Sequence, residues 1–207
     1  MSEVEQWKLY NEWTYENFFS EIKETDSVLE LGPLIGFHTE LIQRRKPKIL
    51  KVVEPNTGDA LEALKVKTSL SDNQIYNGTA NDYYKEHNET FDTVVCCGLL
   101  YHLLAPEHLL EQIVNRSKPK RIIISNLETK DSIVKYNTRE DGREAFARSD
   151  DKGITKPIRY GVSLSADTTR GMLESVGYKC LRNLDTVGIW DKYIYYWQLY
   201  EVNNEMG

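Results

Sequence analysis

Residues 28–42, with the sequence VLELGPLIGFHTELI, decide the fold. The opening VLEL is apolar except for Glu30 and predicts a buried strand, and the residues after Gly36 predict the first turns of a helix. Gly32 and Gly36 lie in the turn between these two elements. Such a turn leaves free backbone N–H groups at a helix N-terminus, where the helix dipole favours negative charge. The stretch therefore predicts a strand, a ligand-binding loop and a helix.

A second acid follows the next apolar run of the chain. Residues 49–53 predict another buried strand, and Glu54 comes directly after it. A carboxylate at the tip of the second strand is the usual partner of ribose hydroxyls in nucleotide-binding α/β folds. The glycine turn and Glu54 together indicate a cofactor with an adenosine end.

From residue 27 onward, strand-like and helix-like segments alternate. This alternation is typical of a parallel sheet with helices on both faces. Strands are predicted at about 27–31, 49–53, 74–77, 93–97, 122–126, 178–184 and 193–202. Helices are predicted near 36–45, 58–66, 105–114 and 166–176, the third of them beginning with a proline in its first turn. The pattern predicts a doubly wound α/β domain.

Two segments depart from this alternation. Residues 5–24 predict a helix that is unusually aromatic and therefore buried on more than one side. We expect residues 1–26 either to dock on the sheet or to form a lid over the ligand, with the main domain spanning 27–207. Residues 127–162 are polar and charged and have little apolar periodicity. An irregular segment this long is usually functional or disordered, and we expect it to cap the substrate side.

Length and composition limit the class of protein. A chain of 207 residues is most simply one domain that buries roughly 70% of its surface. The net charge of −6 disfavours a protein that grips nucleic acid or an anionic membrane. No apolar run reaches the ~18 residues that a membrane span needs. The acidic N-terminus lacks a secretory signal, so we expect a cytoplasmic protein.

The three cysteines are too few for a disulfide framework. Cys96 and Cys97 are neighbours in a predicted strand, and their side chains are expected to face opposite ways. Neither a C-x-x-C pair nor a zinc-like His/Cys spacing is present in the sequence, and no clustered carboxylates indicate magnesium. We expect reduced thiols and no metal.

Three segments resemble the class I S-adenosylmethionine-dependent methyltransferases that act on small molecules. Glu30, Gly32 and Gly36 match the family's acid-x-Gly-x-Gly-x-Gly motif, with Leu34 in the place of the middle glycine. Residues 91–103, FDTVVCCGLLYHL, are similar to the family's segment in which strand four ends against the cofactor. Residues 78–82, GTAND, resemble the segment that holds the adenine amino group.

The resemblance implies a mostly parallel seven-stranded, Rossmann-like sheet with an antiparallel C-terminal strand. It implies S-adenosyl-L-methionine as cofactor, S-adenosyl-L-homocysteine as product and methyl transfer as the reaction. Glu30 and the loop backbone would hold the methionine amino and carboxylate groups, and Glu54 the ribose. The cofactor-binding residues implied in this way are Glu30, Gly32, Pro33, Gly36, Glu54, Pro55, Thr79, Ala80, Asn81, Cys97, Gly98 and Leu99.

The same resemblance places the acceptor side after strands four and five. His102 is the histidine placed to take a proton from a substrate at neutral pH, although in the family this histidine often orders its loop instead. Methyl transfer works largely by positioning, so a base is needed only where the nucleophile must lose a proton. The substrate-binding candidates are Tyr101, Asn126, Glu128 and Arg159.

Other interpretations remain open at the level of sequence. Residues 98–102 and 126–129 also resemble segments of tRNA wobble-uridine carboxymethyl-transferases, although the acidic charge disfavours that alternative. A non-catalytic relative that binds a partner or metabolite is the other alternative, since Leu34 and Thr79 depart from the family pattern. Four arginines in or beside residues 127–162 suit an acidic acceptor, or simply form a solvated charged loop. They are Arg139, Arg143, Arg148 and Arg159.

Overall fold

The structure, a computed structural model, describes residues 2–128, 133–137, 160–187 and 194–203. The strands are β1 (Ser27–Leu31), β2 (Ile49–Val53), β3 (Ile75–Tyr76), β4 (Thr93–Cys97), β5 (Arg121–Leu127), β6 (Ile133–Asn137), β7 (Tyr160–Leu164), β8 (Tyr178–Asp185) and β9 (Tyr195–Val202). The helices are α1 (Glu3–Asn17), α2 (Phe37–Gln43), α3 (Asp59–Thr68), α4 (Ala80–Glu86), α5 (Pro106–Gln112) and α6 (Ala166–Ser175).

Seven of these strands form one sheet in the order β3-β2-β1-β4-β5-β9-β8. Strands β1 to β5 pair in parallel, with Glu30 beside Val52 on one side and beside Val95 on the other. Strand β9 runs antiparallel and lies between β5 and β8. The predicted doubly wound sheet with an antiparallel C-terminal strand is confirmed.

The sheet is covered on both faces by apolar clusters. One cluster joins Leu29 and Cys96 to residues of α4, α5 and α6, and the other joins Val28 and Cys97 to residues of α1, α2 and α3. Alternate residues of a strand thus enter opposite clusters, as the pleat of a strand requires. The prediction that Cys96 and Cys97 face opposite ways is confirmed.

The N-terminal helix is shorter than predicted, and within it only Tyr10 and Thr14 are buried among the described side chains, so the expected burial on more than one side is wrong for the helix itself. Ser2 caps α1 through a capping box with Glu5, and a short 3-10 turn, Phe19–Glu21, follows the helix. Phe18 and Phe19 are fully buried, and Phe18 lies 5.2 Å from Trp197 of β9, measured between ring centroids. The segment therefore docks on the sheet in this structure.

Two elements correct the sequence interpretation. Helix α4 forms where only a turn was expected, because the Thr79 hydroxyl caps it by accepting the N–H of Asp82 at 3.1 Å. The segment 127–162 was expected to lack regular structure, yet its two ends form the antiparallel hairpin of β6 and β7. The two strands were missed because each is only five residues long and because the residues between them in the sequence are highly charged.

Within the part of the chain that the structure describes, no helix combines the length and apolar character of a membrane span.

Candidate active site

The loops that follow the parallel strands meet at one edge of the sheet. The Gly32 N–H donates to the Val53 carbonyl at 2.9 Å, which ties the end of β1 to the end of β2. The Gly98 N–H donates to the Ser125 carbonyl at 2.9 Å, which ties the end of β4 to β5. Ligands of open α/β sheets bind at this edge, so the predicted cofactor residues are brought together where a ligand is expected.

The glycine loop depends on left-handed backbone at both glycines. Gly32 has φ 73° and Gly36 has φ 86°, values that a side chain disfavours. A β-carbon on Gly36 would lie 2.6 Å from Cγ2 of Thr68, so packing against α3 also requires glycine there. Leu34 has φ 55° as well, and its side chain is 47% exposed. Leu34 thus adopts the backbone of the glycine it replaces.

Glu54 holds this loop in place. Its carboxylate is almost fully buried and accepts the Leu34 N–H at 2.6 Å through Oε2. Its other oxygen accepts the backbone N–H of Asn56 at 2.9 Å and the Asn56 amide at 2.6 Å. Burial raises the pKa of Glu54, and these hydrogen bonds oppose the rise. A carboxylate has about four acceptor positions. These three hydrogen bonds use three of them, so about one remains for a ligand hydroxyl while the loop stays in this position.

Glu30 is a second buried carboxyl group, on the neighbouring strand. It is 2% exposed and accepts the Thr39 hydroxyl at 2.7 Å. Burial raises its pKa to about 8, the Thr39 hydrogen bond lowers it, and the charge of Glu54 raises it further. A cation placed beside Glu30 would reverse this penalty, because an opposite charge favours the ionised form.

The segment predicted to hold adenine begins α4. Thr79 is occupied as the helix cap, since its hydroxyl also lies 2.6 Å from the Asp82 carboxylate. Ala80 is the first residue of the helix. The side-chain oxygen of Asn81 is buried and has no hydrogen-bond partner among the described residues. An orphaned acceptor fits an amino group brought by a ligand, which makes Asn81 the best polar candidate in this segment.

The tip of β4 leads into a short 3-10 turn, Leu100–His102. The Tyr101 N–H donates to Oδ1 of Asn126 at 3.0 Å, and the rings of Tyr101 and His102 lie 4.0 Å apart. A β-carbon on Gly98 would contact only the Tyr101 hydroxyl, at 3.7 Å, among the described residues. The backbone at Gly98 is therefore open to the close approach of a ligand.

Asn126 fixes this turn from the end of β5. It is fully buried, and its amide donates to the Ser163 hydroxyl at 3.1 Å and to the Leu164 carbonyl at 3.2 Å. The Val162 N–H donates to the Leu103 carbonyl at 2.8 Å. The turn that carries Tyr101 and His102 is thus hydrogen-bonded to β7. The side chain of Asn126 is used inside the protein rather than presented to a substrate.

Of the two remaining predicted substrate residues, the structure describes Glu128 but not Arg159. Glu128 is half-buried just after β5, and its N–H donates to the Ile194 carbonyl at 2.9 Å. Arg159 lies outside the described residues, as do Arg139, Arg143 and Arg148.

Helix α1, which the sequence predicted either to dock on the sheet or to cover the ligand, places Trp7 and Tyr10 at this edge, and neither was a predicted site residue. Trp7 stacks on Phe37, the first residue of α2, with ring centroids 5.0 Å apart. Tyr10 is buried and lies 6.4 Å from the His38 ring. Burial lowers the pKa of His38 to about 4, so this imidazole is neutral at neutral pH. In the sequence, the signal for these contacts was the regular spacing of aromatic residues along the predicted N-terminal helix.

The residues at this edge of the sheet suit a ligand that carries a cation and a hydrogen-bond donor. Glu30 offers a buried acid that a cation would stabilise, Asn81 offers an orphaned acceptor, and Gly98 offers bare backbone. A sequence profile described as the methyltransferase domain matches residues 8–182. The chain belongs to the methyltransferase-domain family. The predicted class I methyltransferase resemblance and the assignment as an enzyme are thereby confirmed.

Solved structures of other methyltransferases share this fold. The N-methyltransferase NodS from Bradyrhizobium japonicum WM9 aligns with a TM-score of 0.65 and 14% identity, over 99% of this chain and 100% of that one. The 1,6-didemethyltoxoflavin-N1-methyltransferase of Burkholderia thailandensis, with 1,6-didemethyltoxoflavin and S-adenosylhomocysteine bound, aligns with a TM-score of 0.63 and 12% identity. The alignment covers 99% of this chain and 92% of that one.

The N-terminal domain of EvdMO1 with S-adenosylhomocysteine bound gives a TM-score of 0.62 and 18% identity, covering 94% of this methyltransferase and 80% of that chain. No curated protein sequence matches the chain significantly.

Proposed function

We propose that this methyltransferase transfers a methyl group from S-adenosyl-L-methionine to a small-molecule acceptor. The observation that carries the proposal is the pair of buried carboxyl groups, Glu30 and Glu54, that flank the glycine loop on neighbouring parallel strands. Neither acid has a lysine or arginine among its hydrogen-bond partners in the described residues, so burying the two carboxyl groups is costly. A bound ligand with a cation and hydroxyl groups offsets that cost.

The cofactor end of the site is assigned as follows. Glu30 and the backbone of the glycine loop hold the methionine ammonium and carboxylate, and Glu54 holds the ribose. Ala80 and Asn81 meet the adenine, and the β4 tip lines the methionine portion. When bound, S-adenosylmethionine supplies a methyl group already activated on a sulfonium. The remaining predicted contacts are Gly32, Pro33, Gly36, Pro55, Thr79, Cys97, Gly98 and Leu99.

The acceptor side begins at the turn after β4. Tyr101 and Glu128 contact the acceptor, and His102 either takes a proton from it or orders the turn. Asn126 acts through Tyr101 and His102, because its side chain is fully buried and holds the backbone of that turn. The 1,6-didemethyltoxoflavin bound in the Burkholderia thailandensis neighbour supports a small-molecule acceptor.

Two further expectations from the sequence belong to the same proposal. Residues 1–26 serve as a helical lid that is docked in this structure, and residues 127–162 cap the substrate side. The protein works in the cytoplasm with its cysteines reduced, an expectation that rests on a sequence with only three cysteines, too few for a disulfide framework.

Titration calorimetry with S-adenosylmethionine and S-adenosylhomocysteine tests the proposal. Binding of both is expected, while NADH, which fits other Rossmann-like folds, gives no heat. Mass spectrometry of the protein as purified checks for a copurified nucleoside. Absence of heat with both S-adenosyl compounds contradicts the proposal. Release of S-adenosylhomocysteine in the presence of a metabolite panel then identifies the acceptor.

A further inference from the structure

Tyrosine side chains converge at the end of β4, on the acceptor side of the site. The rings of Tyr101 and Tyr195 lie 6.3 Å apart with an interplanar angle of 52°. The Tyr101 hydroxyl lies over Gly98, 3.7 Å from the position of an added β-carbon. Both side chains are half-buried, so each is partly accessible. These two rings form a wall beside the open backbone of Gly98.

Helix α1 adds a third tyrosine to this wall. The ring of Tyr10 is fixed by edge contacts with Trp7 at 5.7 Å and with Trp197 at 6.2 Å. Burial raises the pKa of Tyr10, and nearby Cys97, Tyr195 and Tyr101 raise it further. Tyr10 and Cys97 belong to one packed cluster and Tyr195 packs against it, so Tyr10 lies beside the same end of β4. We call Tyr10, Tyr101 and Tyr195 the tyrosine wall.

The charged side chains in the described loops at this edge of the sheet are acidic. Among the described residues, the loops directly after β1 to β5 and after β8 contain Glu54 and Glu128 and no lysine or arginine. Glu54 is committed to the glycine loop and, by the proposed function, to the ribose. Glu128 follows β5 on the acceptor side. Aromatic faces and a carboxylate attract a cation, whereas an anion meets hydroxyl donors here and no positively charged side chain among the described residues of these loops.

We infer that the tyrosine wall is the specificity-determining surface of the acceptor site and that the acceptor is an amine. This inference rests on the proposed function and adds the class of the acceptor to it. The amine binds as an ammonium ion over the rings and must lose a proton before it reacts. Its nitrogen lone pair then forms the N–C bond, while the C–S bond breaks and its electron pair stays on sulfur.

The proton released by the ammonium ion has a receiver beside the wall. His102 lies 4.0 Å from Tyr101 between ring centroids and belongs to the same turn. A neutral imidazole there accepts the proton and returns it to water, which accounts for every charge in the step. The tyrosine rings take no part in this proton transfer.

Three probes that differ only in their polar group test the inference. Phenethylammonium, phenylacetate and 2-phenylethanol are each titrated into the protein saturated with S-adenosylhomocysteine. Phenethylammonium is expected to bind about tenfold more tightly than the other two, the size of a partly desolvated cation–π contact. Tyr101→Leu and Tyr195→Leu each lower this preference, while Tyr101→Phe keeps it because the ring remains.

Tyr15→Leu is the matched control. It removes an aromatic ring that lies 3.8 Å under the Arg44 guanidinium toward the C-terminal end of α1, outside the proposed site. This variant is expected to keep the parent's preference. At Tyr10, which is buried, the variant is Tyr10→Phe rather than a leucine substitution. Circular dichroism checks that every variant is folded.

The possible outcomes separate the inference from the proposed function. Equal binding of the three probes overturns the inference, and so does a preference for phenylacetate, which the arginines outside the described residues would produce. If S-adenosylhomocysteine does not bind, the proposed function fails. The same titration of the ligand-free protein then still decides whether the tyrosine wall selects a cation.

Discussion

Glu54 holds the glycine loop, and in the proposed function it also holds the ribose of the cofactor. Its carboxylate holds Leu34 and Asn56 and lies at the tip of β2, where a ribose is expected. Leu34 keeps the left-handed backbone of a glycine at a cost of about 1 kcal/mol, which the short hydrogen bond to Glu54 helps to offset. Sequence reasoning identified the acid but not its hydrogen bond to the loop.

Replacing this acid gives the first prediction. Glu54→Ala is expected to weaken S-adenosylmethionine binding by about 10- to 150-fold, because it removes a charge-assisted contact worth roughly 1.5–3 kcal/mol. Calorimetry measures the change, with Glu62→Ala on the exposed face of α3 as the control. Equal affinity in Glu54→Ala and the parent would remove Glu54 from the site.

Glu30 gives a prediction about pH. Its pKa of about 8 means that Glu30 is mostly protonated at pH 7 in the free protein. A bound ammonium favours the ionised form, so cofactor binding must release a proton below about pH 8. Affinity is therefore expected to rise between about pH 5.5 and 7.5, by at most about tenfold per unit.

Calorimetry in buffers of different ionisation heat measures that proton. Glu30→Gln should bind without proton release and without the pH dependence, and equal proton release in parent and variant would contradict the assignment.

The stability of the free protein falls as the pH rises, whereas its affinity for the cofactor increases. Because the folded pKa lies above the unfolded value, the contribution of Glu30 is fully present below about pH 4.5 and is lost as the pH rises to about 8.

At the scale of elements, Asn126 couples the turn after β4 to β7. Asn126→Ala leaves the Tyr101 N–H and the Leu164 carbonyl without their partner, at a cost of about 1–3 kcal/mol for each buried group. Amide exchange at Tyr101 and Val162 is expected to accelerate, while cofactor affinity stays near that of the parent.

Hydrogen exchange with residue resolution checks this coupling. Asn183→Ala on the exposed side of β8 is the control, since it removes the same amide group outside the turn. Unchanged exchange in Asn126→Ala would show that the turn is held by other contacts, and a large loss of cofactor affinity would place Asn126 in the cofactor site.

A buried ion pair joins β5 to the N-terminal segment at the opposite edge of the sheet. Nη1 of Arg121 lies 2.7 Å from the Asp26 carboxylate and 2.9 Å from the Glu21 carbonyl, and Asp26 also accepts the Thr93 hydroxyl. Arg121→Met should lower the free energy of unfolding by about 3–5 kcal/mol, because Asp26 is then buried without its partner.

Urea denaturation measures this loss. The double variant with Asp26→Leu should recover part of it, since removing both charges also removes the desolvation penalty. A double variant that is no more stable than Arg121→Met alone would show that the hydrogen bonds of Asp26, rather than its charge, hold this edge.

The elements found from the sequence are those with a local signal. Strands such as Thr93–Cys97 are uninterrupted apolar runs, and α5 opens with a proline, so both were predicted within a few residues. Helix α4 was missed because the Gly and Asn around Thr79 favoured a turn. The hydrogen bond from Tyr101 to Asn126 and the ion pair from Arg121 to Asp26 join distant residues, and no local pattern encodes them.

At the scale of the molecule, we propose that α1 acts as a lid on the acceptor side of the site. We expect S-adenosylhomocysteine to slow amide exchange around Trp7–Phe19, because a cofactor that prefers the closed form shifts the protein toward it. Exchange in part of residues 127–162 is expected to slow as well. Protection confined to the glycine loop and the β4 tip would mean that α1 is only a docked helix.

The place of β9 in the sheet has a consequence for synthesis. Strand β9 follows every other strand in the chain, yet it lies between β5 and β8 and buries Trp197 under α1. On the ribosome, β1 to β5 can pair as they emerge, but the outer edge of β5 stays unpaired until residues 195–202 leave the exit tunnel. An unpaired edge strand recruits other chains. The nascent protein thus completes this sheet only after β9 has emerged, and chaperone contact is expected to concentrate on β5 in that interval.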